Sequence, residues 1–172
     1  FGDPVEINGG SDPNNPADFP DLLLPLLINE ILTGNQTGLR DGFGTREDWI
    51  EIYNPNPVAL NLEFYYLTDN PGNLTKWTFP DVVIPANDYL VVFASGVNQV
   101  DPDGHPHTNF KLESTGEYLA LVRPGGTTID DALHPSFPGQ FTDISYGPQA
   151  ETDSPRFFSP PTPGAANGNG FP

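Results

Sequence analysis

The stretch DWIEIYNPNPVAL, residues 48–60, alternates apolar and polar side chains before it reaches a proline-rich end. Successive side chains of a β-strand point to opposite faces, so Ile50 and Ile52 share one face and are predicted to lie in the core. The opposite face consists of Trp49, Glu51 and Tyr53. Asn-Pro-Asn-Pro at 54–57 predicts a turn that ends the strand. We therefore expect a half-buried antiparallel strand whose aromatic and acidic outer strip meets water or a partner.

Similar short segments follow one another along residues 26–147, with turn residues about every eight to twelve positions. The 21 Pro and 18 Gly leave little room for helices. The predicted strands are LLINEIL (26–32), WIEIYN (49–54), VALNL (58–62), YYLTD (65–69), KWTFP (76–80), DYLVVFAS (88–95), NFKLE (109–113), EYLALVRP (117–124) and TDISYG (142–147). DYLVVFAS is apolar on both faces and is predicted to be central. Eight or nine short strands of this kind predict an all-β sandwich.

Two segments rich in Pro, Gly and Asn flank the predicted sandwich, and we treat residues 1–25 and 148–172 as N-terminal and C-terminal arms. Ordering each residue of such a segment costs ~1–2 kcal/mol of backbone entropy, so we expect the arms to lie on the domain or on a neighbouring subunit. The apolar side chains suited to such contacts are Leu22, Leu24, Leu26, Phe157 and Phe158. Through them the chain is expected to bind protein partners, including copies of itself.

The charge balance excludes one class of partner. The chain has 23 acidic and 6 basic residues, a formal net charge of -17, so it has no basic surface that could neutralise nucleic-acid phosphates. It has no Cys, which excludes disulfides and thiol catalysis, and no apolar run approaches the ~20 residues needed for direct membrane insertion. Because the sequence contains no Met, we expect a trimmed product from which a signal peptide was removed, located outside the cell or on its surface.

The segment VDPDGHPHTNF, residues 100–110, is a candidate metal site. Oxygen and nitrogen ligands alternate along it at Asp101, Asp103, His105 and His107. If they converged, the acidic chain would favour calcium and the two histidines would favour a transition metal. The alternative is a rigid turn, because Pro102 and Pro106 restrict the backbone and the spacing does not fit an EF-hand loop.

Six segments, taken together and in order, resemble lamin-tail domains, in particular the secreted bacterial ones: INEIL, DWIEIYNP, YYLTDNP, KWTFPDVVIPANDYLVVFAS, HTNFKLESTGEYLALVRPGG and DISYG. PTPGAANG, residues 161–168, is similar to a segment that often follows such domains in bacteria. The resemblance implies an immunoglobulin-like sandwich without known catalytic residues. It further implies a structural or adhesive module of a secreted or cell-surface protein.

The sequence also bears on two other functions, catalysis and ligand binding. No Gly-x-Ser-x-Gly elbow and no phosphate-binding loop is present, so no enzyme and no bound cofactor other than calcium is expected. The alternative to a structural module is an accessory domain of a hydrolase that binds carbohydrate or calcium. Its sugar platform would be Trp49, Tyr65, Tyr66 and Trp77.

Overall fold

The computed structural model describes residues 23–150, 152 and 154–172, and this part of the chain is all-β. Its eleven strands are β1 (Leu27–Leu32), β2 (Trp49–Tyr53), β3 (Leu60–Asn61), β4 (Tyr66–Thr68), β5 (Trp77–Thr78), β6 (Val83–Ile84), β7 (Tyr89–Phe93), β8 (Leu119–Val122), β9 (Ile129–Leu133), β10 (Ser145–Pro148) and β11 (Pro155–Phe158). Within these described ranges, no helix is long and apolar enough to cross a membrane.

The strands form three antiparallel sheets. The larger sheet has the order β11-β10-β1-β2-β7, a second sheet has the order β5-β4-β8-β9, and β3 pairs with β6. In the larger sheet Ile52 of β2 pairs with Ile28 and Leu90 on either side, and the register between β1 and β2 shifts between Ile28 and Glu30, as at a β-bulge. The predicted immunoglobulin-like β-sandwich is confirmed, with eleven strands in place of eight or nine.

The core lies between the two larger sheets. Ile50 and Ile52 are fully buried there, as the alternation predicted, and they belong to one cluster with Leu67, Leu119 and Leu121 of the facing sheet. Burying an aliphatic side chain of this size contributes about 1.5–3 kcal/mol. All four residues of β8 are buried, so this strand lies at the centre of the packing in its sheet.

The outer face of the larger sheet is covered, and here the prediction from the sequence is wrong. Trp49 is 1% exposed and Glu51 is 0% exposed, although both were expected to meet water or a partner. Trp49 packs with Leu32 and Phe93 in a second apolar cluster on this outer side. Leu32 and Trp49 line a cavity together with residues 37–40, which lie just before β2, and with the prolines at 160, 161 and 163 from the far end of the chain. A third layer therefore buries the strip that an isolated strand would expose.

This third layer also explains the position of β7. DYLVVFAS was predicted to be central because both of its faces are apolar, but β7 is the last strand of its sheet. Val91 and Phe93 belong to the outer cluster, whereas Val92 lies in the core. Beyond β7, the described residues form only isolated bridges, from Phe93 to His107 and from Ser95 to Lys111. Apolar side chains on both faces of a strand therefore indicate that both faces are covered, and they do not indicate a neighbouring strand at each edge.

Three local predictions also need correction. NFKLE (109–113) is not a strand, since Lys111 makes only the isolated bridge just described. β9 is not among the predicted strands, and β11 lies in the segment 148–172 that the sequence assigns to the C-terminal arm. The arm instead continues the fold, because β11 pairs along its length with β10 and extends the larger sheet.

Candidate interaction surfaces

The C-terminal segment 159–170, which we call the strap, crosses the outer face of the larger sheet above two buried glutamates. Glu30 and Glu51 are direct neighbours on β1 and β2. Glu30 accepts the backbone N–H of Thr162 at 2.9 Å and the Thr162 hydroxyl at 3.2 Å. Glu51 accepts the backbone N–H of Gly164. The strap thus supplies donors to both carboxylates, together with the Ser145 hydroxyl for Glu30 and the Asn29 amide for Glu51.

Asn167 fastens the returning half of the strap. Its side-chain amide donates to the carbonyl oxygens of Asn29 and Pro148, both at 2.7 Å. Its oxygen accepts the Thr162 hydroxyl at 3.1 Å. The Asn29 amide in turn donates to Glu51 at 2.8 Å, so Asn167, Asn29 and the carboxylate form one connected network. Such buried polar networks specify one arrangement because each unsatisfied group costs about 1–3 kcal/mol.

Burial controls the protonation of both glutamates. It raises the pKa of Glu51 to about 7, and the hydrogen bonds from Gly164 and Asn29 only partly oppose this. The nearby charge of Glu30 raises the pKa of Glu51 further. Burial also raises the pKa of Glu30, against the hydrogen bonds from Ser145 and Thr162. Glu51 therefore takes up a proton near neutral pH, and the pKa of Glu30 also lies above the usual range of a glutamate.

Of the four proposed metal ligands, Asp101 lies beside both histidine rings, 3.2 Å from the His105 Nδ1 and 3.5 Å from the His107 Nε2. Asp103 is exposed, and Asp101 is buried and accepts the backbone N–H groups of Gly42 at 2.6 Å, Asp103 at 2.9 Å and His105 at 2.8 Å. Burial would raise the pKa of Asp101, but the Gly42 and His105 N–H groups and the His105 ring outweigh it and lower the pKa to about 2. Across the described ranges, no group of three or more His, Asp or Glu side chains has the geometry to hold a metal ion. Asp101 instead fastens two loops together.

His107 lies beside this aspartate as a buried packing residue. Its Nδ1 contacts the Ser95 hydroxyl at 2.8 Å, and its ring packs against Phe93 with centroids 5.2 Å apart. Its Nε2 lies 3.5 Å from Asp101 and 4.0 Å from Asp41, and it makes no hydrogen bond within the described part of the chain. Ser95 and His107 are both buried.

A group of four rings lies at β11, two of them exposed and two half-buried, and we call it the aromatic cluster: Phe141, Tyr146, Phe157 and Phe171. Phe157 is at its centre, with ring centroids 5.4 Å from Phe141, 5.1 Å from Tyr146 and 6.0 Å from Phe171. Phe141 is 56% exposed and Phe171 is 41% exposed. The sequence pointed to Phe157, but it gave no sign that rings from three other segments would join it.

The backbone holds this cluster in place. Phe157 and Phe171 exchange two backbone hydrogen bonds of 3.0 Å, so Phe171 also covers the free edge of β11. The loop after Phe141 is held by Asp143, whose carboxylate accepts the N–H groups of Gln36 at 2.7 Å and Thr37 at 2.8 Å. A partner that binds these rings would therefore order little new structure, which favours affinity.

The other residues predicted to make partner contacts lie in different parts of the structure. Leu24 is exposed, whereas Leu26 lies in the core and Phe158 is buried, so neither of these two can serve as a surface anchor. Leu22 lies outside the described residues. Tyr53 is half-buried and stacks on Tyr89 with ring centroids 4.8 Å apart.

The predicted sugar platform does not form. Trp49 and Trp77 are both buried, and the Trp77 indole N–H donates to the Asn98 side chain at 2.9 Å. Tyr65 and Tyr66 are half-buried. Tyr53 and Tyr89 instead form a stacked, half-buried pair of rings at the edge of the larger sheet. The sequence did not indicate this pair, because it depends on the register of β2 and β7.

These features define an immunoglobulin-like β-sandwich with a covered outer face and an exposed aromatic cluster. Residues 24–134 match the Lamin Tail Domain family, so the chain belongs to this family. No curated protein sequence matches the chain. Lamin tail domains are generally non-catalytic and mediate protein–protein interactions, so the chain is a protein-interaction domain. β10, β11 and the strap follow the matched segment.

Proposed function

We propose that the protein is a non-enzymatic extracellular or cell-surface module with a structural or adhesive role, and that its aromatic cluster binds a protein partner. The observation that supports this most directly is the exposure of Phe141 and Phe171 in a preformed group of rings. The location outside the cell rests on the resemblance to secreted bacterial lamin-tail domains.

The energetics favour a contact of this kind. Contiguous exposed apolar surface is rare on proteins that act alone, and it often marks an interaction site. Fully burying an exposed Phe side chain contributes about 1.5–3 kcal/mol, so Phe141 and Phe171 could supply much of the binding energy of a small interface. The net charge of -17 keeps copies of the chain apart in solution and would attract a basic partner from a distance.

Site-specific crosslinking tests the proposal. A photoreactive phenylalanine analogue is placed at Phe141, and the protein is returned to the cells that make it. The matched control is position 64, because Phe64 is 57% exposed but contacts no other ring among the described residues. We expect a crosslinked protein of defined mass from position 141 and none from position 64. Equal yields from both positions, or no product from 141, would contradict the proposal.

A second candidate function is carbohydrate binding, favoured by the stacked rings of Tyr53 and Tyr89 beside Asp88. Flat half-exposed rings next to a carboxylate can pack against a sugar and accept its hydroxyl hydrogens. Calorimetry with a panel of polysaccharides tests it. Saturable heat that Tyr89→Ala removes and Tyr118→Ala retains would support carbohydrate binding, and the absence of heat from the unaltered protein would exclude it for that panel.

A further inference from the structure

The outer face beneath the strap has the features of a site that recognises one peptide sequence. Glu30 binds both the backbone and the hydroxyl of Thr162, Glu51 binds the backbone of Gly164, and Asn29 binds the side chain of Asn167. The required pattern is therefore Thr-x-Gly-x-x-Asn. Gly164 has a φ of +80°, a conformation that other residues rarely adopt, which adds to the selectivity.

The strap is bound to this face by the hydrogen bonds of Thr162, Gly164 and Asn167, and its apolar contribution comes from the prolines at 160, 161 and 163, which lie beside Leu32 and Trp49. Within the strap, all of whose residues the structure describes, Asn167 is the buried side chain, and Gly164, Ala165, Ala166, Gly168 and Asn169 are exposed. Segments with little buried apolar surface open locally at a fraction of the free energy of global unfolding. The core strands beneath would stay in place, because their side chains are buried in the separate cluster between the sheets.

We infer that this face is a peptide-binding groove occupied by the chain's own strap, and that it accepts the strap of a second copy by exchange. A second copy presents the same Thr-x-Gly-x-x-Asn segment, and an exchanged strap makes every contact that the strap makes in its own chain. Ser159, Pro160 and Pro161 join the strap to β11, and a proline-rich joint projects a released segment away from its own domain. The net charge of -17 on each copy opposes the approach, so exchange should increase with salt.

A peptide with the sequence of residues 159–172 tests the groove in the full-length chain. Asn167→Ala removes the fastening side chain but leaves Glu30, Glu51 and Asn29 unchanged. Its groove should be open for a larger fraction of the time, and the apparent affinity for the peptide rises with that fraction. We expect at least tenfold tighter binding of the labelled peptide to Asn167→Ala than to the unaltered chain, measured by fluorescence anisotropy at 0.5 M salt.

Asn169→Ala is the matched control, because the Asn169 side chain makes only an exposed contact of 3.3 Å with Gln149. It should bind the peptide as weakly as the unaltered chain does. If Asn167→Ala fails to fold by circular dichroism, Thr162→Val replaces it. The inference would be overturned if the variant with the weakened strap, Asn167→Ala or Thr162→Val, bound the labelled peptide no more tightly than the unaltered chain does. Equal binding of a peptide in which Thr162 and Asn167 are both replaced by Ala would also overturn it.

Mixing two variants tests the second copy itself. The Asn167→Ala chain offers an open groove, and a Glu51→Ala chain offers a strap that its own groove holds less well. We expect a heterodimer in sedimentation velocity that neither variant forms alone, and its absence despite peptide binding would overturn strap exchange. The side chains of the aromatic cluster are the same in both chains, so failure here would leave the proposed function of that cluster untouched.

Discussion

Replacing Glu51 by Gln should abolish a pH-dependent part of the stability of this protein. Burial raises the pKa of Glu51 to about 7 in the folded state, whereas an unfolded glutamate has a pKa near 4.5. The folded state therefore binds a proton that the unfolded state releases. A group with a raised folded pKa stabilises the protein fully below the unfolded pKa, and this stabilisation is lost as the pH rises through the folded pKa. For Glu51 the loss falls between about pH 4.5 and pH 7.

The size of the effect follows from the difference between the two pKa values. At about 1.4 kcal/mol per pH unit, a difference of about 2.5 units sets a ceiling near 3.4 kcal/mol, of which about 2.5 kcal/mol falls between pH 8 and pH 5. Glu30 shares the network and takes up part of the protons, so we expect about 1–2 kcal/mol from Glu51 itself.

Urea unfolding of both proteins at several pH values from 5 to 8 measures this. Gln keeps an oxygen that accepts the Gly164 N–H, but its amide faces the Asn29 amide, which costs about 1 kcal/mol at every pH. The free energy of unfolding of Glu51→Gln relative to the unaltered chain should therefore rise by about 1–2 kcal/mol from pH 5 to pH 8. Glu63→Gln, at an exposed position, corrects for the general loss of one negative charge. Curves that run parallel within about 0.5 kcal/mol would refute the reasoning.

Three further changes have distinct expected outcomes. Trp49→Ala should lower the free energy of unfolding by about 3–5 kcal/mol, because the indole is buried. Tyr53→Ala should lower it by less, because this ring is half-buried. Equal losses in urea unfolding would contradict a covered outer face. Asp101→Ala leaves three backbone N–H groups without their acceptor and should lower the free energy of unfolding by about 2–4 kcal/mol. Calcium or EDTA should leave the melting temperature of the unaltered chain unchanged. A calcium-dependent rise in the melting temperature would support the metal site instead. Phe141→Ser should change the melting temperature by less than about 3 °C, since the ring is exposed, and a larger fall would show that it supports the fold.

The predicted positions of Ile50 and Ile52 are correct because alternation is a property of the strand itself. Whether the opposite face meets water depends on what else covers it, and here the cover begins more than 100 residues further along the chain, at Thr162 and Gly164. No local pattern around Trp49 signals this cover. The sequence contains one indication. Glu51 lies between Ile50 and Ile52 and shares its face with Trp49, so its carboxylate needs hydrogen-bond donors if this face is covered.

The candidate metal site shows a different limit of the sequence. Asp101, Pro102, Asp103 and Gly104 form a pattern typical of turns, in which an aspartate accepts backbone N–H groups two and four residues ahead. The same residues also suit an ion. The choice between the two depends on Gly42, whose N–H contacts the remaining oxygen of Asp101 and whose position no sequence pattern fixes.

The arrangement of Glu30 and Glu51 links the family-matched segment to the residues that follow it. Two like charges directly opposite each other on paired strands destabilise a sheet, and burial increases the cost. Both glutamates lie within residues 24–134, but their donors at Thr162 and Gly164 lie beyond that range. The strap is therefore part of the fold. Polar contacts hold the strap, and its prolines lie beside the outer apolar cluster, while the main core lies on the other side of the sheet. The face beneath the strap can therefore be uncovered without opening the main core, and this is the property that an exchangeable binding groove requires.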